Sequence, residues 1–386
     1  MKKRISKIIK IAIKTVFASV FCLGVILLIL YVSTYLTGFM YIEKNIEYQN
    51  NHLEYLKTGY YTDSYVPCDE QKLADFDIEK AYSDGVKLNE ISVMGTHNSY
   101  QLLASLPKRA LMRTLQIISF GKVENKAVFE MDTLTEQLEH GVRNLEIDIE
   151  TVDDNGNVSF IVTHDPILDN VSSCYDFGKA LEEIRLWSDH NPGHFPVYLL
   201  IEPKGEVPQK NNMQNFSVEY ALELDKTIRN ALGDKLLTPK LVMGDYASFE
   251  EMRENDSWPE LKDCAGKIIV LLHDCSVTKS YINVDTSIRT QAMFPMLRFD
   301  SIDKPYTSFI LENDPAAAVK NNKITVDEKK IMVRTRADDY PHFSEERYLM
   351  AESCGSHIIS TDYPPRSVRE KDHVFTLDGY TIRLKK

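Results

Sequence analysis

The chain has 386 residues, with 45 Lys+Arg against 57 Asp+Glu and a formal net charge of −12. Six of the cations (Lys2, Lys3, Arg4, Lys7, Lys10 and Lys14) lie in the first 14 residues, leaving 39 against 57 in the remainder, a net of −18. That balance excludes a general nucleic-acid binder and any broad attraction to anionic membranes, while the length suits one large domain.

Residues 1–14 are a basic flank, and Thr15 to Leu36 then runs 22 residues without a charge. At about 1.5 Å per residue such a helix crosses roughly 30 Å of hydrocarbon. A cleaved signal peptide is the rival reading, but its apolar region spans only about 7–15 residues and ends in a small-x-small site. The stretch STYLTGFMY is a poor site of that kind, and Phe21 stands where lipoprotein processing at Cys22 wants a small residue. Residues 15–36 are therefore read as an uncleaved single-pass anchor in the cell membrane. By the positive-inside rule its N-terminus is cytoplasmic and the rest of the chain faces outward, to be secreted if the anchor is cut. Five cysteines (Cys68, Cys174, Cys264, Cys275, Cys354) remain outside, odd in number and without a CxxC pair, which allows one disulfide at most.

Residues 37–87 are polar, tyrosine-rich and without a clear period, and read as a spacer leading to a domain at 88–386. In that domain eight apolar runs alternate with helix-length segments: EISVMG, VRNLEIDI, VSFIVTH, FPVYLLIEP, KIIVLLHD, TSFILEN, KIMVRTR and HIISTDY. Parallel strands buried on both faces read as such runs, so the pattern predicts an α/β fold, a TIM-type (β/α)8 barrel, regular or distorted, preceded by one transmembrane helix. The helices are punctuated to match. Thr133 with Glu136 forms a capping box ahead of a stop at Gly141, and further stops stand at Asn191-Pro192-Gly193, Gly233 and Gly355.

Polar groups collect at the C-terminal ends of the first four runs: His97 and Asn98, Glu146 and Asp148, His164-Asp165, and Glu202 with Lys204. In a parallel barrel those ends share one mouth. Glu146 and Asp148, two apart, point to the same side of their strand and need a positive charge between them. An ion pair with Arg143 or Lys204 is the plain answer for any one acid. The whole set of Asn98, Glu146, Asp148 and Glu202, all oxygen donors, suits Ca2+, with Mg2+ second because it usually takes fewer protein ligands. His97 and His164 would flank the metal, one to remove a proton and one to supply it, as opening a phosphodiester by a neighbouring hydroxyl requires.

The motifs MGTHNSY, GVRNLEIDIE, THDP and IEPKG, followed by ENDPAA, VRTRADD and CGSHIISTDYP, resemble in order and spacing the X-type catalytic barrel of phosphatidylinositol-specific phospholipases C, above all the calcium-dependent bacterial branch. The resemblance covers about Asn89 to Pro365. It implies His97 as base toward the inositol 2-hydroxyl, His164 as acid toward the diacylglycerol oxygen, and Asn98, Glu146, Asp148 and Glu202 as calcium ligands. Lys204 and Arg336 match cationic positions for phosphate or inositol, or are surface or barrel-base charges. Asp362 binds inositol hydroxyls or fixes the last loop.

The implied substrate is a phosphoinositide or related glycerophospholipid at a membrane, cleaved to diacylglycerol and inositol phosphate, with no protein partner indicated. One departure is an insertion, LLASLPKRALMRTLQIISFGKVENKAV, whose leucines and isoleucines are interleaved with Lys108, Arg109, Arg113 and Lys122. It reads either as an interfacial helix near the mouth or as a helix packed on the barrel. Calcium loops of DxDxDG spacing are absent, so calcium here would be catalytic. Two rivals remain: a glycerophosphodiester phosphodiesterase, which normally opens with His-Arg-Gly rather than His-Asn-Ser, and a silent barrel that binds lipid head groups or a wall polymer.

Overall fold

The computed structural model describes residues 2–124, 126–164, 170–205, 212–368 and 373–385. Eleven strands form one sheet: β1 (Ile91–Thr96), β2 (Asn144–Asp154), β3 (Asn157–Val162), β4 (Val197–Pro203), β5 (Met213–Gln214), β6 (Ile268–Leu272), β7 (Phe294–Leu297), β8 (Phe309–Leu311), β9 (Met332–Arg336), β10 (Ile358–Thr361) and β11 (Ile382–Leu384). Neighbouring strands β1, β10, β9, β8, β7, β6, β4 and β2 are all parallel, and β2 returns to β1, closing an eight-stranded barrel. Every residue of β1, β6, β7, β8 and β10 is buried, as strands covered by side chains on one face and helices on the other must be.

One predicted member is corrected. VSFIVTH is a strand, but β3 runs antiparallel to β2 as the second arm of a hairpin outside the barrel. Its place among the eight is taken by β7, FPML, a four-residue run too short to stand out beside Pro295. The capping signals are met. Thr133 and Glu136 close a reciprocal box on the helix Leu134–Glu139, and Gly141 follows at φ +92°, in the left-handed region. Among the described residues all six cysteines are free thiols, so no disulfide forms.

Barrel closure between β1 and β2 rests on one register pair, Gly95 with Asn144. A Cβ at Gly95 would lie 2.6 Å from Asn144 Oδ1 and 2.7 Å from its Cβ, so the backbones approach only because residue 95 has no side chain. Gly95→Ala is expected to destabilise the fold by about 1–3 kcal/mol, the usual cost of overpacking, read as a lower urea midpoint at unchanged slope.

The N-terminal helix is longer than the apolar run 15–36 and spans Lys2–Tyr55. Arg4–Gly38 is long and apolar enough to cross a membrane, and its most apolar stretch is exposed. Residues 41–55, patternless in sequence, continue the same helix along the barrel wall. Leu53 and, just past the helix end, Leu56 are 4% and 1% exposed, each burial worth about 1.5–3 kcal/mol.

Candidate functional site

Alternation along β2 sets the site. Leu145, Ile147 and Ile149 pack outward with the covering helices in one hydrophobic cluster, which leaves Glu146 and Asp148 facing into the barrel, 2% and 0% exposed. On β4, Glu202 pairs in register with Asp148. Oxygens of Glu146, Asp148 and Glu202 lie within 4.8 Å of one another. The turn after β1 is stapled over them: Ser99 exchanges hydrogen bonds with β2, its N–H donating to Glu146 O (2.9 Å) and its hydroxyl accepting from Glu146 N (2.8 Å). Asn98, between the histidine and that staple, sits at φ +49°, a conformation asparagine tolerates better than most residues.

Two buried carboxylates beside a half-buried third need compensation, and the protein supplies part of it. Lys204 Nζ lies 2.6 Å from Glu202 Oε1 and 3.1 Å from Asp148 Oδ2, and Arg334 pairs with Glu146. Burial alone would raise Glu146, but the Arg334 guanidinium, aided by His97 and Arg336, holds it down to about 2. Asp148 goes the other way. Burial pushes it up to about 8 against the pull of Lys204, with Glu202 and Glu146 adding repulsion. Its Oδ2 accepts from Tyr100 Oη at 2.9 Å, while its Oδ1 is buried without a hydrogen-bond partner. An orphaned carboxylate oxygen in an all-oxygen set is what a hard divalent cation would satisfy, so the residues present fit calcium.

Beside the cluster, His97, Asn98, His164, Phe129, Tyr340 and Asp362 are among the residues lining a cleft of about 110 Å³. His164 also lines a wider cleft of about 680 Å³ with Glu202, Lys204 and Phe216. Asp165 and Pro166 of THDP lie outside the described residues. His97 Nδ1 lies 3.0 Å from Asp362 Oδ1. Asp362 is buried, accepts from Tyr340 N (2.7 Å), and has Arg336 Nη2 3.5 Å from its Oδ2. Burial would raise this carboxyl, but His97 and Arg336 hold it below the ordinary aspartate range. An ionised Asp362 accepts a hydrogen bond from Nδ1–H, so the imidazole nitrogen left with a lone pair is Nε2. Arg336 Nη2, 3.2 Å from Nδ1, then donates to Asp339 (3.2 Å) rather than to the ring.

All nine sequence-predicted residues thus gather at the C-terminal mouth. Arg143, weighed as partner for the inward acids, lies elsewhere: it pairs with Glu70 and stacks on Trp187. Arg334 is not among the sequence-predicted residues, although its place two residues before Arg336 puts both on one face of β9. His273, 4.0 Å from Glu202 Oε2, is not among them either, despite ending β6 in a His-Asp pair like that of THDP.

The family described as phosphoinositide phospholipase C, Ca2+-dependent, matches residues 86–161 and 157–385. This chain belongs to that family. Calcium-dependent phosphoinositide phospholipases C are phosphodiesterases, and their fold is shared here. The calcium-dependent phosphoinositol-specific phospholipase C of a Pseudomonas species, in its myo-inositol complex, superposes with a TM-score of 0.53 at 18% identity, over 80% of this chain and 98% of that one. The calcium-dependent phosphatidylinositol-specific phospholipase C of Streptomyces antibioticus gives 0.51 at 20% identity, over 72% and 95%. No curated protein matches the sequence.

Proposed function

We propose that this chain is a membrane-anchored, outward-facing phospholipase C that cleaves phosphatidylinositol-like lipids to diacylglycerol and an inositol phosphate, cyclic at first. The supporting observation is the meeting of two histidines in one cleft beside a three-carboxylate cluster, two of its members buried, with an unsatisfied oxygen on Asp148. His97, its Nδ1 proton held by Asp362, presents Nε2 as the base that takes the proton of the inositol 2-hydroxyl. His164 gives a proton to the departing diacylglycerol oxygen. Asp362 acts by holding the His97 tautomer, since its carboxylate is already engaged by His97, Tyr340 and Arg336.

Asn98, Glu146, Asp148 and Glu202 would hold the calcium, which when bound screens the phosphoryl charge and acidifies the attacking hydroxyl. Lys204, lining the wider cleft, and Arg336, beside His97, are the cations placed to receive phosphate and inositol oxygens. The domain boundaries follow the same reading: flank 1–14, anchor 15–36, approach 37–87 and catalytic barrel 88–386.

The full-length chain, assayed on phosphatidylinositol vesicles with calcium and then with chelator, is expected to release water-soluble inositol phosphate only with calcium. Release that survives the chelator would overturn the metal assignment. Hydrolysis of glycerophosphoinositol but not of the intact lipid would make it a diesterase of the glycerol type.

A further inference from the structure

The docked half of the N-terminal helix lies against the face of the barrel from which the insertion projects. The helix Lys2–Tyr55 has no proline along its length. Where its apolar stretch ends, Thr34 and Gly38 are already buried against the protein. Asn170 Nδ2 donates to Gly38 O at 2.8 Å and Asn45 Nδ2 donates to Asn170 O at 2.5 Å. One turn on, Gln49 donates to Asp176 O (2.9 Å) and accepts from Asp176 N (2.8 Å). A side chain that satisfies both backbone groups of one residue fixes azimuth as well as height. The barrel therefore has one orientation about the helix that carries it.

The inserted helix Leu106–Ile118 packs on this strut. Leu111 is buried, and Met112 joins Tyr41 in a small apolar cluster. That much agrees with a helix packed on the domain. Its outer face, however, is Leu106, Ala110, Arg113 and Ile117, at spacings of four, three and four, all exposed. Phe120 follows at 96% exposed. From 102 to 123 there are four cations and no acid, in a chain that carries a net of −18 beyond residue 14. Basic side chains beside outward apolar ones, next to the point where an apolar helix leaves the protein, fit an anionic lipid surface. The insertion leaves the barrel just after Gln101 and returns at Lys126 and Phe129, and all three line the catalytic cleft.

We propose that Lys2–Tyr55 is a rigid strut that seats the barrel mouth on the bilayer its own N-terminal half crosses, and that Leu106–Lys122 is the second foot, inserted in the interface of that same membrane. This rests on the anchor reading above. The enzyme then works on lipids of its own membrane, with its cleft held at the lipid surface.

Phe120→Trp in the full chain, reconstituted in vesicles of phosphatidylcholine, phosphatidylglycerol and acyl-brominated lipid, is the test. Trp187 and Trp258 are 0% and 3% exposed and serve as the internal reference. The new tryptophan is expected to emit blue-shifted and to be quenched by the brominated lipid, while the parent emission is not. Adding Asn45→Ala and Gln49→Ala should weaken that quenching and lower hydrolysis of vesicular lipid several-fold, with a short-chain monomeric lipid cleaved as before. The intact mass of the chain recovered from host membranes separates the two ways of failing. Loss of residues ahead of the docked segment overturns anchor and strut together, whereas an intact chain with an unquenched tryptophan, or with quenching unaffected by the two alanines, overturns this proposal alone.

Discussion

Replacing His97 with alanine is expected to lower kcat on phosphatidylinositol by about 10²–10⁴-fold, the range that a positioned general base contributes, without a change in thermal midpoint. His97 is anchored from behind by Asp362, with a partly exposed side chain facing the cleft, so its removal leaves the barrel's buried layers intact. Asp362→Asn supplies the companion measurement. An amide at that position can donate toward Nδ1 and so favours the tautomer with its proton on Nε2, which cannot act as base. It should therefore reduce kcat far more than KM, while a residue that binds inositol hydroxyls directly would raise KM. An active His97→Ala variant would move the base elsewhere, with His164, which lines the same cleft, the first candidate.

The second large effect is expected for Asp148→Asn. Asparagine keeps the volume of the side chain and the contact with Tyr100, but removes one of the three carboxylate charges within 4.8 Å. Calcium affinity depends on ligand charge count, and changes one shell further out already cost roughly 10–100-fold, so loss of the ligand itself should exceed that. For the parent chain, calcium at a hundred times its Kd should add about 2.7 kcal/mol of stability. The variant should lose most of that shift, along with calcium-dependent lipid cleavage. Titration calorimetry on the same samples checks the assignment without reference to turnover. Unchanged calcium affinity in Asp148→Asn would remove the metal from this cluster.

The barrel and its mouth were largely legible in the sequence because both depend on short-range pattern. Apolar runs of β2, β4 and β6 announce strands buried on two faces, and the two-residue period of a strand puts Glu146 and Asp148 on one side whatever the rest of the fold does. Capping is local in the same way, which is why Thr133 with Glu136 and Gly141 mark a helix correctly. The apolar length of residues 15–36 likewise announces a helix able to span a bilayer.

What only the tertiary structure decided is who sits opposite whom. The pairing of β3 back onto β2, rather than into the barrel, is signalled locally by the Asn155-Gly156 turn, with both residues at positive φ, and not by the apolar run, which reads the same for either outcome. Arg334 reaches Glu146 across 188 positions of sequence, and Asp362 reaches His97 across 265, so each charge finds its partner only when β9 and β10 close the barrel beside β1. The docked stretch after residue 40 shows no amphipathic period because much of its hold is polar, through Asn45 and Gln49, and side-chain amides leave no hydrophobic trace. Sequence by itself determined the strands, the mouth and the residue types there; the long-range closure of the barrel determined their partners, because electrostatic and hydrogen-bond complementarity is a property of neighbours in space and not of neighbours in the chain.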